Sequence, residues 1–534
     1  MGRRAASCWA MALLLLAGTA HFCPAAAGQL DEIRARGVLV VGVKDEYPPF
    51  GMLDARGRIV GFEPDLAADI ARRLHVKLRL VGVSTANRLE KLADGSVDLL
   101  IATMGDTSKR RQIAHLIEPD YYASGVNIML PRSRHIRDWA QLRGQTVCST
   151  QGAYFNRPMA RRYLLDLQVY NGTRDAELAL RQGRCVGWLY DDTEIEAELA
   201  RRSWRGYAMP LPSLLLSPWA MAIRKGADGA NFARRVGDAI ADWHRTGFLI
   251  ALGKKWHLKP SPFLEREHKL WSARTAGGTF LCHRLADGAW PTACRNQALL
   301  GAAEVGGLRR LGLRIRDLTG LDLSILYDGY DRGEFLHGLL LSLALVAACV
   351  CGTLLTAALG AMLLDAEIPL LSRLVRAVAT FARMTPPLLQ IYVVVFGIGG
   401  ITARWGLTLN AFAAATACLS LYAGAASAES LCEAAAVIRQ SHPAFRIDLA
   451  GLPAVFRLAY QPVVAALVNI VKATGLASTV AVPELINSST AIVAERGNVL
   501  VMMNLLMVAY FLIVVLVMWL FKRLYRRIGA HVAD

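Results

Sequence analysis

The residues of this chain whose types and spacing could do chemistry are ten cysteines, 11 histidines and one lysine set inside an apolar run. Cys8 and Cys23 fall near the amino terminus, Cys148, Cys185, Cys282 and Cys294 in polar sequence, and Cys349, Cys351, Cys418 and Cys432 in apolar runs. Cys148, in Gly144-Gln145-Thr146-Val147-Cys148, and Cys185, in Gly183-Arg184-Cys185-Val186-Gly187-Trp188, each read as part of a short buried strand between turns. Adjacent strands would bring the two thiols within bonding range, although spacing alone also allows two separate buried thiols. The histidines show neither zinc-ligand nor triad spacing. Gly253-Lys254 has Phe248 where a phosphate loop needs its first glycine, and Lys255 where it needs Ser or Thr. No metal, cofactor, ATP hydrolysis or enzymatic activity is therefore expected of the chain. Lys472 is the one charged residue of 458–483. Inside a bilayer such a charge is costly, so it marks either a translocation path or a lysine that snorkels or bonds a carbonyl beside Gly475.

Elements must position these groups. Arg3-Arg4, the apolar run from Trp9 to Ala17 and Pro24-Ala25-Ala26-Ala27 before Gly28 have the layout of a signal peptide over 1–27, cleaved after Ala27. From Val38 to Pro262 short apolar strands alternate with amphipathic helices. Residues 38–43, 65–74, 78–81, 87–93 and 99–101 make one such series, and 146–148, 156–165, 167–170, 174–181 and 186–190 a second. Two α/β lobes are expected over 28–262, with a ligand-sized cleft beyond the carboxyl ends of their strands. Residues 263–334, with Gly277-Gly278, Gly306-Gly307 and the run Arg309-Arg310-Leu311-Gly312-Leu313-Arg314, read as a linker with a possible local disulfide between Cys282 and Cys294.

Residues 338–364, 384–403, 405–428 and 497–521 carry no Asp, Glu, Lys or Arg, and with 458–483 they predict five membrane helices in an all-α domain over 335–534. Arg373, Arg376, Arg383, Arg439, Arg446, Arg457, Lys522, Arg523, Arg526 and Arg527 fall on one side, against Arg332, Arg404 and Arg496 on the other. The basic side faces the cytoplasm, which leaves the α/β region outside. Such loops also account for the formal net charge of +17, so nucleic acid is not an expected partner.

Gly61-Phe62-Glu63-Pro64-Asp65-Leu66-Ala67-Ala68-Asp69-Ile70-Ala71, then Gly95-Ser96-Val97-Asp98-Leu99-Leu100-Ile101 and Thr107-Ser108-Lys109-Arg110-Arg111, resemble the polar amino-acid-binding proteins of ATP-driven importers over about 35–262. The resemblance implies a two-lobed periplasmic-binding-protein fold. It also implies that Arg110 takes the ligand's α-carboxylate through its planar fork. Asp191 would take the α-ammonium, Thr103 and Gly105 would offer hydroxyl or backbone groups, and Tyr47 and Phe50 would cover the ligand. Arg88, in Val83-Ser84-Thr85-Ala86-Asn87-Arg88-Leu89, looks like the glutamate/aspartate-binding members, where it would hold a side-chain carboxylate; a structural Arg88 remains the other reading. Gly152-Ala153-Tyr154 departs from the family's Gly-Thr-Thr.

Residues 335–530 resemble the permease subunits of the same importers through Arg383-Met384-Thr385-Pro386, Leu452-Pro453, Lys472-Ala473-Thr474-Gly475 and Pro483-Glu484-Leu485. Glu433, Ala434 and Ala435 match the loop that docks the ATPase, while Arg439 or Gln440 stands where that loop has a glycine. The resemblance therefore implies an inner-membrane, multi-pass importer subunit with its solute-binding domain in the periplasm. Its implied partners are a polar amino acid, acidic if Arg88 holds a side-chain carboxylate, cytoplasmic ATPase subunits, membrane lipid and a second permease in a homodimer or heterodimer. A ligand-gated channel or receptor and a transport-inactive amino-acid sensor are the competing readings.

Overall fold

The computed structural model describes residues 28–296, 307–319, 321–403, 405 and 407–530; the signal peptide read over 1–27 lies outside them. In the first lobe β1 (Val38–Val43) is sandwiched in parallel between β2 (Lys77–Gly82) and β3 (Leu99–Ile101), and α1 (Phe62–Leu74) and α2 (Arg88–Ala93) are the crossovers. Every residue of β1 after Val38 is buried, because helices cover both faces of a parallel sheet. A short helix, α3 (Ser108–Ile113), leads into the long strand β4 (His115–Pro131).

The second lobe repeats the plan, with β5 (Thr146–Thr150), α4 (Asn156–Tyr163), β6 (Asp166–Tyr170), α5 (Thr173–Arg181) and β7 (Trp188–Asp191). Helix α6 (Asp192–Leu199) follows, and β8 (Leu214–Ile223) returns antiparallel to β4, from Leu214 opposite Val126 to Ile223 opposite His115. The sheet runs β2-β1-β3-β8-β4-β7-β5-β6, so β4 and β8 are the two strands that cross between lobes. They form the hinge.

The structure joins Cys148 of β5 to Cys185, with Cα atoms 5.6 Å apart and 37 residues enclosed. Cys185 lies in the approach to β7 rather than in a strand. A loop of that size is worth about 4 kcal/mol in the chain-entropy account.

Residues 263–296, expected as linker, belong to the α/β body. After α7 (Ala230–Thr246), helix α8 (Pro262–Ser272) packs back along it, and Trp271, Cys282, Trp290 and Cys294 close a small core with Ala241. Trp290 Nε1 donates to Glu118 O (3.1 Å), and the Cys282–Cys294 bridge closes the turn. Two tryptophans provide enough apolar area to dock a segment whose glycines and charges suggest a tether.

The carboxyl-terminal region is helical: α9 (Gly329–Asp365), α10 (Pro369–Met384), α11 (Pro387–Ala403), α12 (Ala411–Ser441), α13 (Tyr460–Ala473), α14 (Leu485–Arg496) and α15 (Val499–Ala530). Among the described residues four helices are long and apolar enough to cross a membrane, namely Gly329–Asp365, Ala411–Ser441, Tyr460–Val480 and Val499–Arg523, and the bent pair Pro369–Met384 and Pro387–Ala403 makes a fifth if it is one broken span. The span expected over 384–403 is not one straight helix: α10 and α11 meet at 109°. Pro386 and Pro387 remove consecutive backbone donors at that corner.

Helices α9 and α12 touch through small residues. A Cβ at Gly352, Gly360 or Gly424 would strike Ser420, Ala428 or Thr356, so glycine is what lets these backbones approach. At the far end of α9, Asp365 pairs with Arg439 and accepts from Ile447 N (2.7 Å), while Arg446 donates to its carbonyl (3.1 Å). Glu433, Ala434 and Ala435 are therefore not in a loop. They lie on α12, which continues unbroken to Ser441, with Glu433 exposed and both alanines buried.

Candidate functional site

The cleft is built at the carboxyl end of β1, where the chain places Lys44 directly after the buried strand. Lys44 is 1% exposed and donates to Thr85 Oγ1 (2.6 Å), which lies 3.0 Å from the hydroxyl of Tyr190 on β7. Three residues further on, Tyr47 donates to Asp191 Oδ2 (3.3 Å) and lies 3.0 Å from Thr193 Oγ1. These bonds run from the first lobe to the second, so the two lobes are shut against each other.

Arg110 completes the closure. Thr107 caps α3 by accepting from Arg110 N (3.3 Å), which fixes the root of the side chain. The guanidinium then donates to Gly105 O (2.9 Å) within its own lobe and to Gly152 O (3.0 Å) across the cleft, and its carbon lies 5.9 Å from the centre of the Tyr154 ring. Gly152 has φ +73°, and a Cβ there would come 2.5 Å from Thr85 O, so only glycine permits this approach of the lobes.

Thr103 is held at φ 45°, an uncommon conformation for a β-branched residue. Its N–H meets Glu63 Oε1 (2.6 Å), which also accepts from Tyr121 OH (2.5 Å). Such strain persists only where surrounding bonds fix it, and it is common at ligand clamps. Arg88 donates to the carbonyls of Ala102 (2.5 Å) and Thr103 (3.1 Å). Both bonds leave from Nη1, so Arg88 is a strut under the β3 end through one nitrogen of its fork.

The structure thus gathers Tyr47, Arg88, Thr103, Gly105, Arg110 and Asp191 around one cleft. Phe50 is not among them as a lid: it is fully buried against Phe62, Tyr122 and Trp219 in the aromatic core of the first lobe. Lys44, Glu63 and Tyr190 join the site without having been singled out in the sequence. The available signal was position, since Lys44 follows an apolar strand and Glu63 opens a helix, where α/β folds bind ligands.

Burial dominates the electrostatics. It pushes the Asp191 carboxyl up to about 7, with Asp192 adding to the effect and Arg88 and Lys44 opposing it. It likewise raises Glu63 to about 7 and lowers Lys44 to about 8, the latter with help from Arg88. Burial, then Arg88, lowers the Arg110 guanidinium from its ordinary value. Asp191 Oδ1, Thr103 Oγ1 and Arg88 Nε are buried and have no hydrogen-bond partner among the described residues. An anion, a hydroxyl and a cation left unmatched in one cleft suit a small solute carrying both charges.

Nearby, Glu177, Glu194 and Glu198 place carboxylate oxygens within 4.8 Å of one another. Burial raises Glu177 to about 7 and Glu194 well above its ordinary value, Arg201 and Trp204 bind Glu198, and Glu194 Oε2 is buried without a hydrogen-bond partner among the described residues.

Lys472 is exposed on α13, just before the turn Thr474–Val480. One of the buried acids of the helical region is Glu484, which accepts from the N–H groups of Ile486 (2.9 Å) and Asn487 (3.0 Å) and from Tyr510 OH (3.0 Å). It caps α14.

Residues 39–259 match the family model described as bacterial extracellular solute-binding proteins, family 3. Among curated proteins, the L-cystine-binding protein TcyJ of Escherichia coli strain K12 is 26% identical over 249 residues, covering 46% of this chain and 92% of that protein. The glutamate/aspartate import solute-binding protein of the same strain is 24% identical over 272 residues, covering 47% and 88%. A solved structure of the solute receptor for L-cysteine of Neisseria gonorrhoeae is 27% identical with a TM-score of 0.40, covering 43% and 97%. All three likenesses cover less than half of the chain. The α/β body at the amino-terminal end has the two-lobed periplasmic-binding fold and matches, over 39–259, the model of the bacterial extracellular solute-binding proteins of family 3.

Proposed function

We propose that the chain is an importer subunit in which an amino-acid-binding domain is fused to its own membrane pathway, powered by separate ATPase subunits. The carrying observation is that Arg110 of the first lobe and Asp191 of the second are buried at one closed cleft in a chain that continues into apolar helices. The relatives named above bind cystine or glutamate and aspartate, which favours a polar amino acid here. Arg88 is engaged with carbonyls through Nη1 while its Nε is unpartnered, so an acidic side chain and a zwitterion without a distal charge both fit the cleft. No reaction on the bound solute is proposed. The domain would lie on the periplasmic side of an inner membrane, with Arg439 and Arg446 at the cytoplasmic end and a second permease copy, identical or not, beside it.

The test has two steps. Calorimetry of the full chain in lipid nanodiscs against the twenty amino acids and cystine should give one at micromolar affinity or better; silence for all removes the binding claim. Reconstitution with candidate ATPases should then give ligand-stimulated ATP hydrolysis and uptake, both lowered by Glu433→Lys.

A transport-inactive sensor is the second reading, and one observation favours it. The turn after α12 is pinned by Arg439, Arg446 and Ile447 to Asp365, where the related permeases have a flexible glycine. Binding without any associating ATPase, across all candidates from the same genome, would select this reading.

A further inference from the structure

Helix α14 belongs to the membrane region by sequence, yet it lies across the mouth of the cleft and touches both lobes. Against the first lobe it packs on α2 and α3, and a Cβ at Gly497, just past its end, would be 3.8 Å from Leu89 O and from Ile113. Against the second lobe, Gln151 Nε2 lies 3.4 Å from Asn487 O and 3.3 Å from Thr490 Oγ1, and Asn487 Nδ2 donates to Val169 O (3.4 Å).

At its carboxyl end the two lobes meet on a single carboxylate. Glu495 Oε2 is 3.1 Å from Arg157 Nε of the second lobe and 3.9 Å from Lys109 Nζ of the first. Around it, Arg157 also pairs with Asp331 and lies 3.5 Å from Asp328, while Arg496 binds Asp328 and Asp331 (2.8 Å to the latter). The Arg157 guanidinium sits 3.9 Å over the Tyr330 ring. The second lobe is further held by Arg184 donating to Val480 O (2.9 Å) and Gln182 to Phe396 O (2.8 Å). A cavity of about 640 Å³ opens between this network and the cleft, lined on one side by Arg110, Gly152 and Tyr154 and on the other by Asp328, Tyr330 and Glu495.

A rigid helix that contacts two bodies on either side of a hinge can satisfy both sets of contacts at only one hinge angle. We infer that α14 reads lobe closure within this chain, with Glu495 as the carboxylate that the first lobe's Lys109 and the second lobe's Arg157 share only when the lobes are shut. Opening about β4 and β8 withdraws the first lobe, leaving the second on its Arg157, Arg184 and Gln182 contacts, and strips one face of α14. Because α14 runs directly into α15 through Gly497-Asn498, the open or shut state is passed to a membrane helix. This inference rests on the solute-binding reading for its trigger, but not for its geometry.

The experiment is hydrogen exchange on the full chain in lipid nanodiscs, read at the amides of 485–496. A Thr85→Trp wedge, placed where Thr85 O meets Gly152, should hold the lobes apart and speed exchange at 485–496 at least tenfold on the scale of local opening energies. Unchanged exchange there, with the amides of 149–152 opened, overturns the inference. Glu495→Gln should speed the same amides about threefold while 149–152 stay protected, and this variant decides the matter if the wedge unfolds the first lobe. L-cystine and L-glutamate serve as ligand probes: one that protects 149–152 must also protect 485–496. If neither probe binds, the amino acid found by calorimetry takes their place; silence for all twenty and for cystine removes the amino-acid reading while the wedge still tests the helix.

Discussion

Buried charges gather in two places, and they are treated differently. At the junction of the α/β body with the helical region, Arg157 and Arg496 each lie against both Asp328 and Asp331, and Arg157 against Glu495 as well, so every charge faces an opposite charge of the chain although Arg157 Nε, Arg496 Nε and Asp331 Oδ2 make no hydrogen bond. In the cleft, Asp191, Thr103 and Arg88 also keep a buried polar atom without a partner among the described residues, and there neither Asp191 nor Arg88 has an ion pair. Charges that face their opposites hold surfaces together. Buried charges without such a partner are costly by themselves and become favourable when a solute supplies it. The presence or absence of a facing opposite charge, more than the number of charges, separates a recognition site from a docking surface.

The comparison can be broken most decisively at Arg110. Arg110→Ala should weaken solute binding by about 2–5 kcal/mol, measured by calorimetry on the full chain, since the ligand carboxylate would be left buried and unpaired. Binding within threefold of wild type would mean that Arg110 is only a brace between Gly105 and Gly152.

Arg157→Ala should leave the cleft affinity near its wild-type value but lower the thermal stability of the full chain by about 2–3 kcal/mol, because Asp331 loses one of two cations in a site closed to water. A loss of affinity as large as that of Arg110→Ala would erase the distinction between the two networks.

A third measurement sharpens it through pH. Asp191 titrates near 7 because burial disfavours its charge. A ligand ammonium selects the carboxylate, so affinity should fall by up to tenfold per unit as pH drops below about 7. The ligand-free chain should show the opposite sign: a carboxyl raised in the folded state contributes stability below its unfolded value, and loses it as pH climbs through 7. Asp191→Asn should flatten both profiles. Denaturation and calorimetry between about pH 5 and 8 would show it.

Smallest of all is Lys109→Ala. Lys109 is 37% exposed at the side chain and 3.9 Å from Glu495, so its removal should cost no more than about 0.5 kcal/mol in thermal stability of the full chain.

How far the sequence reached depends on which physical signal each residue carried. The strands and both lobes follow from apolar runs punctuated by helices, and Arg110 and Asp191 from ordered motifs around them. Phe50 was misplaced because an aromatic after Pro48-Pro49 fits a lid or a core equally, and only the packing of Trp219 and Tyr122 distinguishes the two. Arg88 kept two readings, and the reach of its fork to the carbonyls of 102 and 103 depends on tertiary folding that one-dimensional spacing does not encode. By contrast, the corner at Pro386-Pro387 and the helical path of Glu433 did carry local signals. The first was a pair of helix breakers inside an assumed span; the second was the absence of any breaker between Ala425 and Ser441. Residues 263–296 misled because composition was weighed over the two tryptophans.

Covalent continuity between the binding domain and the membrane helices has a kinetic meaning. A receptor on a short tether is presented at an effective concentration on the order of millimolar, whatever the amount made. Weak, reversible grips such as those of Gln151, Gln182 and Arg184 then suffice for occupancy, and freely diffusing receptors compete poorly. On the importer reading the corresponding constraint is stoichiometric: captor and membrane helices are made one to one on the same chain, so scavenging at low solute would scale with the number of chains in the membrane and could not be raised by secreting more of the captor alone.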